Sequence, residues 1–274
     1  MNTIATSTIR GLTDNEEIVY NILIHHLSSL TAKEITHKSD INLSSMHRIL
    51  NRLTKAEILI TNVIQNVTSY NVNIDHDIFL YYTLIEMKKL NSTGLFRENL
   101  YLDKAMQLAA EEIPKYISTI GGCLFSIERE TKTIRAYEMS PTIIGSLILK
   151  LIQKNFKSLT TPLDKAVNNV SKCIIKDEII IGNKVSDFVY PAVPMSVCNL
   201  IQATIYNKTI IAMPIKHKNE AIAALMIAVD NRSEEINQQF FDLVTLFTQK
   251  VSISLMIAKK LDEIKNIYVE INNL

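Results

Sequence analysis

Residues 31–60 read TAKEITHKSDINLSSMHRILNRLTKAEILI. Two helical stretches stand on either side of a break at Ser39-Asp40-Ile41-Asn42. At the start of the first, Thr31 is spaced to bond the backbone at Glu34 while Glu34 reaches back, and Leu30 can staple against Ile35, a reciprocal helix cap. In the second, residues 44–56, Met46, Ile49, Leu50 and Leu53 recur at helical spacing and form a packing stripe. Ser45, Arg48, Arg52 and Lys55 fall on the opposite face, with Ser44, His47 and Asn51 at its edges.

Working outward, Ile18, Ile22, Leu23 and Leu27 predict a helix over 14–28. Ile58–Ile64 and Ser69–Ile74 read as strands around a Gln65–Thr68 turn. Three helices and a hairpin, over residues 13–74, are the layout of a winged helix-turn-helix, preceded by a polar, flexible tail at 1–12. In that layout the second helix of the pair is offered to a DNA major groove. Arg can fork onto guanine, Asn can pair with adenine, and hydroxyls and Lys can hold phosphates. The expected DNA contacts are Thr31, Lys33, Ser44, Ser45, His47, Arg48, Asn51, Arg52 and Lys55. The reading requires Arg48 and Arg52 to project outward. Residues 1–74 balance their charges, yet 42–56 hold Arg48, Arg52 and Lys55 without an acid, so affinity for duplex DNA has to come from this local concentration, doubled in a dimer.

The segment LSSMHRILNRLTKAEILI resembles the winged-helix part of IclR-type transcription regulators, where a Ser-Thr/Ser-apolar-His-Arg-apolar-Leu run forms the recognition helix. On that resemblance, which spans about 14–72, Ser44, Ser45, His47 and Arg48 fall at the corresponding positions. The chain departs from the family at Glu57, where Gly is usual, which bears on the turn that aims the wing.

Residues 75–96 are a helical linker, with 75–93 apolar almost all round at Ile78, Leu80, Tyr81, Leu84, Ile85 and Met87, a pattern that wants burial. After a helix at about 98–117 the pattern turns to strand pairs, 121–128 with 132–139 and 208–215 with 221–229. Helical stretches near 140–157 and 162–171 lie between them, and a long helix closes the chain from about 233 to 272. Strand pairs flanking helices indicate an α+β sensor domain. KTIIAMPIKHKNEAIAALMIAVD at 208–230, with the helix after it, is similar to the most recognisable part of a GAF domain; the resemblance covers roughly 97–265. It implies a six-stranded antiparallel sheet, flanking helices on one face and a small-molecule pocket on the other. The domain is expected over 97–260, with a helical extension at 261–274. Phe125 and Tyr137 on the first strand pair, and Asp187, Tyr190, Ser196, Cys198 and Asn199 in an irregular segment at 182–200, are the candidate ligand contacts. The signatures of cyclic-nucleotide-binding and bilin-binding members are absent, and no cofactor or metal is expected.

Size and composition agree. The chain has 274 residues, 47% apolar and 21% charged, with net charge +1, enough for two domains with real cores. No uninterrupted apolar run approaches the roughly 20 residues of a membrane span and no secretory pattern opens the chain, so a cytoplasmic location is expected. Cys123, Cys173 and Cys198 are too scattered for a disulfide framework. Some GAF proteins reduce methionine sulfoxide with three Cys, but their Gly-flanked cysteine loop is missing here; no nucleophile or paired-carboxylate motif appears either, so no enzyme is expected. At the C-terminus Ile257, Leu261, Ile264, Tyr268 and Ile271 make a short a/d seam. The expected function is a homodimeric, DNA-binding transcription regulator whose sensor domain binds a small effector and re-spaces the two winged helices. The alternative is an adaptor that couples a ligand to a protein partner without binding DNA.

Overall fold

Helix starts carry much of the local chemistry in the first part of the chain. The computed structural model describes residues 12–26, 29–64, 67–80, 83, 100–152, 155–205, 208–230 and 236–272. The Thr13 N–H and hydroxyl both donate to Glu16 Oε2 at 2.8 Å, closing over the start of α1 (Asp14–His26). The Thr31 N–H donates to Glu34 Oε2 at 2.7 Å and the Glu34 N–H donates to Thr31 Oγ1 at 3.3 Å; this reciprocal cap begins α2 (Ala32–His37). Asn42 Oδ1 accepts the Ser45 N–H at 2.9 Å and starts α3 (Leu43–Lys55). Strands β1 (Leu30–Thr31), β2 (Leu59–Ile64) and β3 (Val67–Val72) form an antiparallel sheet in the order β1-β3-β2. Val19, Tyr20 and Leu23 of α1, Ile35 of α2, Met46, Leu50 and Leu53 of α3, and Leu59 and Val72 of the hairpin are all buried. Full burial of each such side chain is worth about 2 kcal/mol.

β3 begins at Val67, two residues before the expected Ser69, because Val63 pairs with Thr68 and Ile64 with Val67. The turn from α3 into β2 resolves the Glu57 question. Glu57 stands in the left-handed region at φ 58°, and the Ile58 N–H reaches back to the Leu53 carbonyl at 3.0 Å, as in a helix-terminating turn that normally uses Gly. The side-chain amide of Asn73 donates to the Glu57 carbonyl at 2.7 Å and holds that backbone in place.

By compactness the chain divides into residues 1–103 with 253–274, and residues 104–252. Two helices, α4 (Leu100–Tyr116) and α9 (Gln238–Asn272), contribute to both units. In the first unit the Asp262 carboxylate accepts the N–H groups of Leu102 at 2.8 Å and Tyr101 at 3.3 Å, satisfying donors in the first turn of α4. Lys265 Nζ lies 3.2 Å from Asp262, and both side chains are under a tenth exposed. α9 has no break at residue 260. By length and composition it could cross a membrane, and half of its most apolar window is buried in the structure. Ile257, Leu261 and Ile264 are buried within a single chain, so the a/d seam read from their spacing is already occupied; the Ile271 side chain lies outside the described residues. So do residues 1–11 of the expected tail, whereas Leu12 is buried. Of the expected linker helix, only 77–80 and 83 are described, as helical.

The second unit is built on a six-stranded antiparallel sheet in the order β6-β5-β4-β9-β8-β7. Its central strands, β4 (Gly121–Glu128), β5 (Thr133–Met139), β8 (Lys208–His217) and β9 (Glu220–Asp230), are the expected ones. The β8–β9 turn is Lys218-Asn219, both at positive φ (48° and 66°), which matches the twist of a tight hairpin. The edge strands β6 (Thr160–Pro162) and β7 (Ile180–Gly182) were not anticipated. Where helices near 140–157 and 162–171 were expected, the chain forms α5 (Ile143–Ile152), a short 3-10 turn at Phe156–Ser158, β6, and α6 (Asn169–Lys176). The segment taken as irregular, 182–200, instead contains α7 (Val185–Val189), a cis Tyr190–Pro191 bond and the start of α8 (Met195–Thr204). Gly122 lets α4 approach the sheet, since a Cβ there would come within 2.9 Å of Ile113.

Two outcomes follow. Glu57→Gly relieves the left-handed strain and should stabilise the protein by about 0.5–1 kcal/mol, with Asn73→Ala moving it the other way, both read from urea unfolding. Asp262→Ala strips the α4 cap and removes the carboxylate facing buried Lys265; it should cost on the order of 3 kcal/mol in the same measurement.

Candidate functional site

The outward face of α3 is the first candidate. Met46, Leu50 and Leu53 are buried and Ile49 is half-buried, leaving Ser44, His47, Arg48, Asn51 and Lys55 exposed together. This face is rotated from the one read off the sequence. Ser44 and Asn51, expected at the edges, lie within it, while Ser45 is half-buried and its hydroxyl receives the Arg48 guanidinium at 3.3 Å. Lys33, on α2, is exposed. The Thr31 hydroxyl is engaged in the α2 cap, donating to Glu34 Oε2 at 2.8 Å, so its expected role at DNA gives way to a local one.

Arg52 is the larger correction. Its Nε lies 2.6 Å from Glu16 Oε1, and the Glu16 side chain is only 3% exposed. A carboxylate placed that deep needs a counter-charge and donors; Arg52 supplies the charge, and Thr13 supplies two hydrogen bonds to the other oxygen. Arg52 therefore clips α3 to the start of α1 and does not project as a free reader. Arg48 and Lys55 are exposed on α3, and the paired Arg52 side chain is itself 58% exposed. The hairpin adds no cation. Residues 59–72 contain no Lys or Arg, and Ile60, Val63 and Val67 are exposed at 42%, 67% and 54%.

The second candidate lies wholly in the 104–252 unit. A cavity of about 90 Å³ opens between the sheet and helices α5 to α8. Phe125, Ala136 and Met226 line it from the strands, Ile148 and Phe188 from helices, and Phe156 from the 3-10 turn. Gly145 belongs to this wall because a side chain there would strike the Ser140 carbonyl. Among the described residues, no Asp, Glu, Lys, Arg or His lines the cavity.

Of the ligand contacts expected from sequence, Phe125 lines this cavity and the others do not. Tyr137 is the extra residue of a bulge, since Phe125 pairs with Ala136 and Leu124 with Glu138; its ring faces the Lys157 ammonium at 4.5 Å. Asp187, Tyr190, Ser196 and Asn199 are exposed, and Cys198 is buried in the surrounding core. The 182–200 segment does reach the cavity, but through Val185, Phe188, Val189, Ala192 and Val193. The polar residues expected as contacts lie on the side of these short helices away from the cavity. The apolar spacing of Val185, Phe188 and Val189 was the available signal.

All three thiols are buried. Burial pushes Cys173 up to about 12. It also raises Cys123, with a contribution from the Glu138 charge, and Cys198, where a backbone hydrogen bond opposes the rise. Raised thiol pKa values keep the neutral, unreactive form at neutral pH. Native protein at pH 8 should therefore react with Ellman's reagent at least tenfold more slowly than urea-unfolded protein; prompt labelling of one thiol would show that site to be open. Among the described residues, no three His, Cys, Asp or Glu side chains are grouped to hold a metal.

No protein-family model and no curated protein matches the chain. Among solved structures it is similar to the GAF domain/HD domain protein from Geobacter sulfurreducens (TM-score 0.44, 10% identity, 58% of this chain and 94% of that one). It is also similar to the GAF domain of a two-component sensor histidine kinase from Bacillus halodurans (TM-score 0.41, 14% identity, 56% and 92%). A type II free methionine-R-sulfoxide reductase from Thermoplasma acidophilum is similar too (TM-score 0.37, 12% identity, 61% and 96%). Likenesses of this size say nothing about function, which rests on the chain's own surfaces.

Proposed function

We propose that the chain is a DNA-binding transcription regulator, with an IclR-like winged helix-turn-helix at its N-terminus and a GAF-like domain that senses a small molecule. The observation that carries this reading is the exposed face of α3, where Ser44, His47, Arg48, Asn51 and Lys55 stand together on a helix capped at its start and backed by a hairpin. Arg48 and Asn51 are the side-chain types that read base edges, and Lys55 at the far end suits a phosphate. Two such helices in a homodimer would read paired half-sites. For the effector to act, it must bind one dimer geometry more tightly than the other.

A second reading has an observation of its own. The exposed Ile60, Val63 and Val67 on a hairpin without cations suit a protein partner better than a phosphate backbone, which favours an adaptor that passes ligand occupancy to another protein.

An electrophoretic shift assay with genomic fragments, with and without pooled metabolites, separates the two readings. A regulator retards specific fragments, and Arg48→Ala weakens that binding about ten- to a hundredfold with stability unchanged. Arg52→Ala behaves differently: it strands the Glu16 carboxylate and should cost about 1–2 kcal/mol of stability, the lower end applying because solvent reaches the Arg52 side. Specific retardation that is indifferent to Arg48→Ala and Lys55→Ala, or no retardation of any fragment, would remove the DNA-binding reading.

A further inference from the structure

We infer that the cavity of the 104–252 unit takes an uncharged, apolar molecule of about four to six non-hydrogen atoms, an assignment that rests on the ligand-sensing reading above. The wall offers a polar ligand little to bind. The Gly122 N–H already donates to Ser140 Oγ at 2.8 Å, and the Gly122 carbonyl accepts the Ser140 N–H at 2.8 Å. Thr161 Oγ1 accepts from Asn168 Nδ2 at 3.3 Å, and the Cys123 thiol is turned to the Leu124 carbonyl at 3.8 Å. Among the described residues, no ionisable side chain other than that thiol stands in the wall. A carboxylate, phosphate or ammonium entering here gives up its hydration and meets no counter-charge among the described residues, with at most the Thr161 hydroxyl to bond.

Apolar ligands meet the opposite situation. Met139 and Met226 are soft, adaptable walls, and Phe125, Phe156 and Phe188 present ring surfaces. The size follows from the volume. An apolar cavity of roughly 150 Å³ stays dry and binds benzene or xenon, so about 90 Å³ suits a molecule of that size or somewhat smaller, with modest movement of the methionines. So few atoms hold the affinity no tighter than roughly micromolar. Nucleotides and sugars are excluded by charge or polarity as well as by bulk, and amino acids by charge.

The test uses the full chain with xenon and benzene as probes, and benzoate and benzylamine as charged counterparts of similar shape. Benzene is expected to raise the thermal midpoint saturably and xenon to show a saturable shift of its magnetic resonance, while benzoate and benzylamine do neither at equal concentration. Ala192→Leu and Ala136→Leu fill the cavity from a loop and from a strand, and each should weaken benzene binding at least tenfold while native circular dichroism is kept. If a filled variant does not fold, Phe156→Ala gives the converse: an enlarged cavity that binds naphthalene at least tenfold better than the unaltered chain. The assignment is overturned if the charged probes shift the midpoint as benzene does, if benzene binding survives in folded filled variants, or if Phe156→Ala leaves naphthalene binding unchanged. Metabolite-dependent DNA retardation without any benzene or xenon response would retire the apolar class and leave ligand sensing standing. A benzene response in a chain that retards no DNA fragment would keep the apolar assignment and remove only the DNA-binding reading.

Discussion

A carboxylate buried at the start of α1 has to be neutralised, and much about the first unit follows from how that is done. Glu16 is almost completely shielded from water. Thr13 occupies one of its oxygens and Arg52 the other, so the start of one helix and the far end of another are tied through a single charged group. Removing either partner leaves a charge where water cannot reach it easily. The tie also decides which side of α3 remains uncommitted: with Arg52 drawn back to α1, the outward face is centred on Ser44, Arg48, Asn51 and Lys55.

The two candidate surfaces are opposites in chemistry, and each is defined by which polar groups are already spoken for. On α3 Ser44, His47, Arg48, Asn51 and Lys55 are exposed. Around the cavity, the polar atoms have been consumed by the sheet and by neighbouring hydroxyls and amides. What is left in the first case is a cationic, hydrogen-bonding helix face, and in the second a dry, apolar wall. This division suits a molecule that reads one kind of partner with one unit and a quite different kind with the other.

Periodic and capped elements were legible in the sequence. Thr31 and Glu34 announced the α2 cap, and the hydrogen bonds are where that spacing put them. Met46, Leu50 and Leu53 identified the packed side of α3, and the four long strands of the six-stranded sheet were read near their true bounds. Elements of three to five residues were not legible, because β6, β7 and α7 are too short to show a period. Most of the expected ligand contacts lie off the cavity wall for a related reason. In a segment read as irregular, Asp187, Tyr190, Ser196 and Asn199 were chosen for their polarity, whereas short helices turn them outward and direct Val185 and Phe188 into the cavity.

The residue order alone was sufficient for whatever depends on near neighbours: helix caps, hydrophobic stripes, alternating strands and the local concentration of cations on residues 42–56. Those forces act over three or four positions along the chain. It was not sufficient for pairings between distant residues. Glu16 and Arg52 lie far apart in sequence and carry no shared pattern, so only folding revealed that a cation counted for DNA also neutralises a buried carboxylate. The same holds for Asp262 capping α4 and for the apolarity of the cavity, which arises where strands and helices from across the chain converge and leave a space that no local spacing encodes.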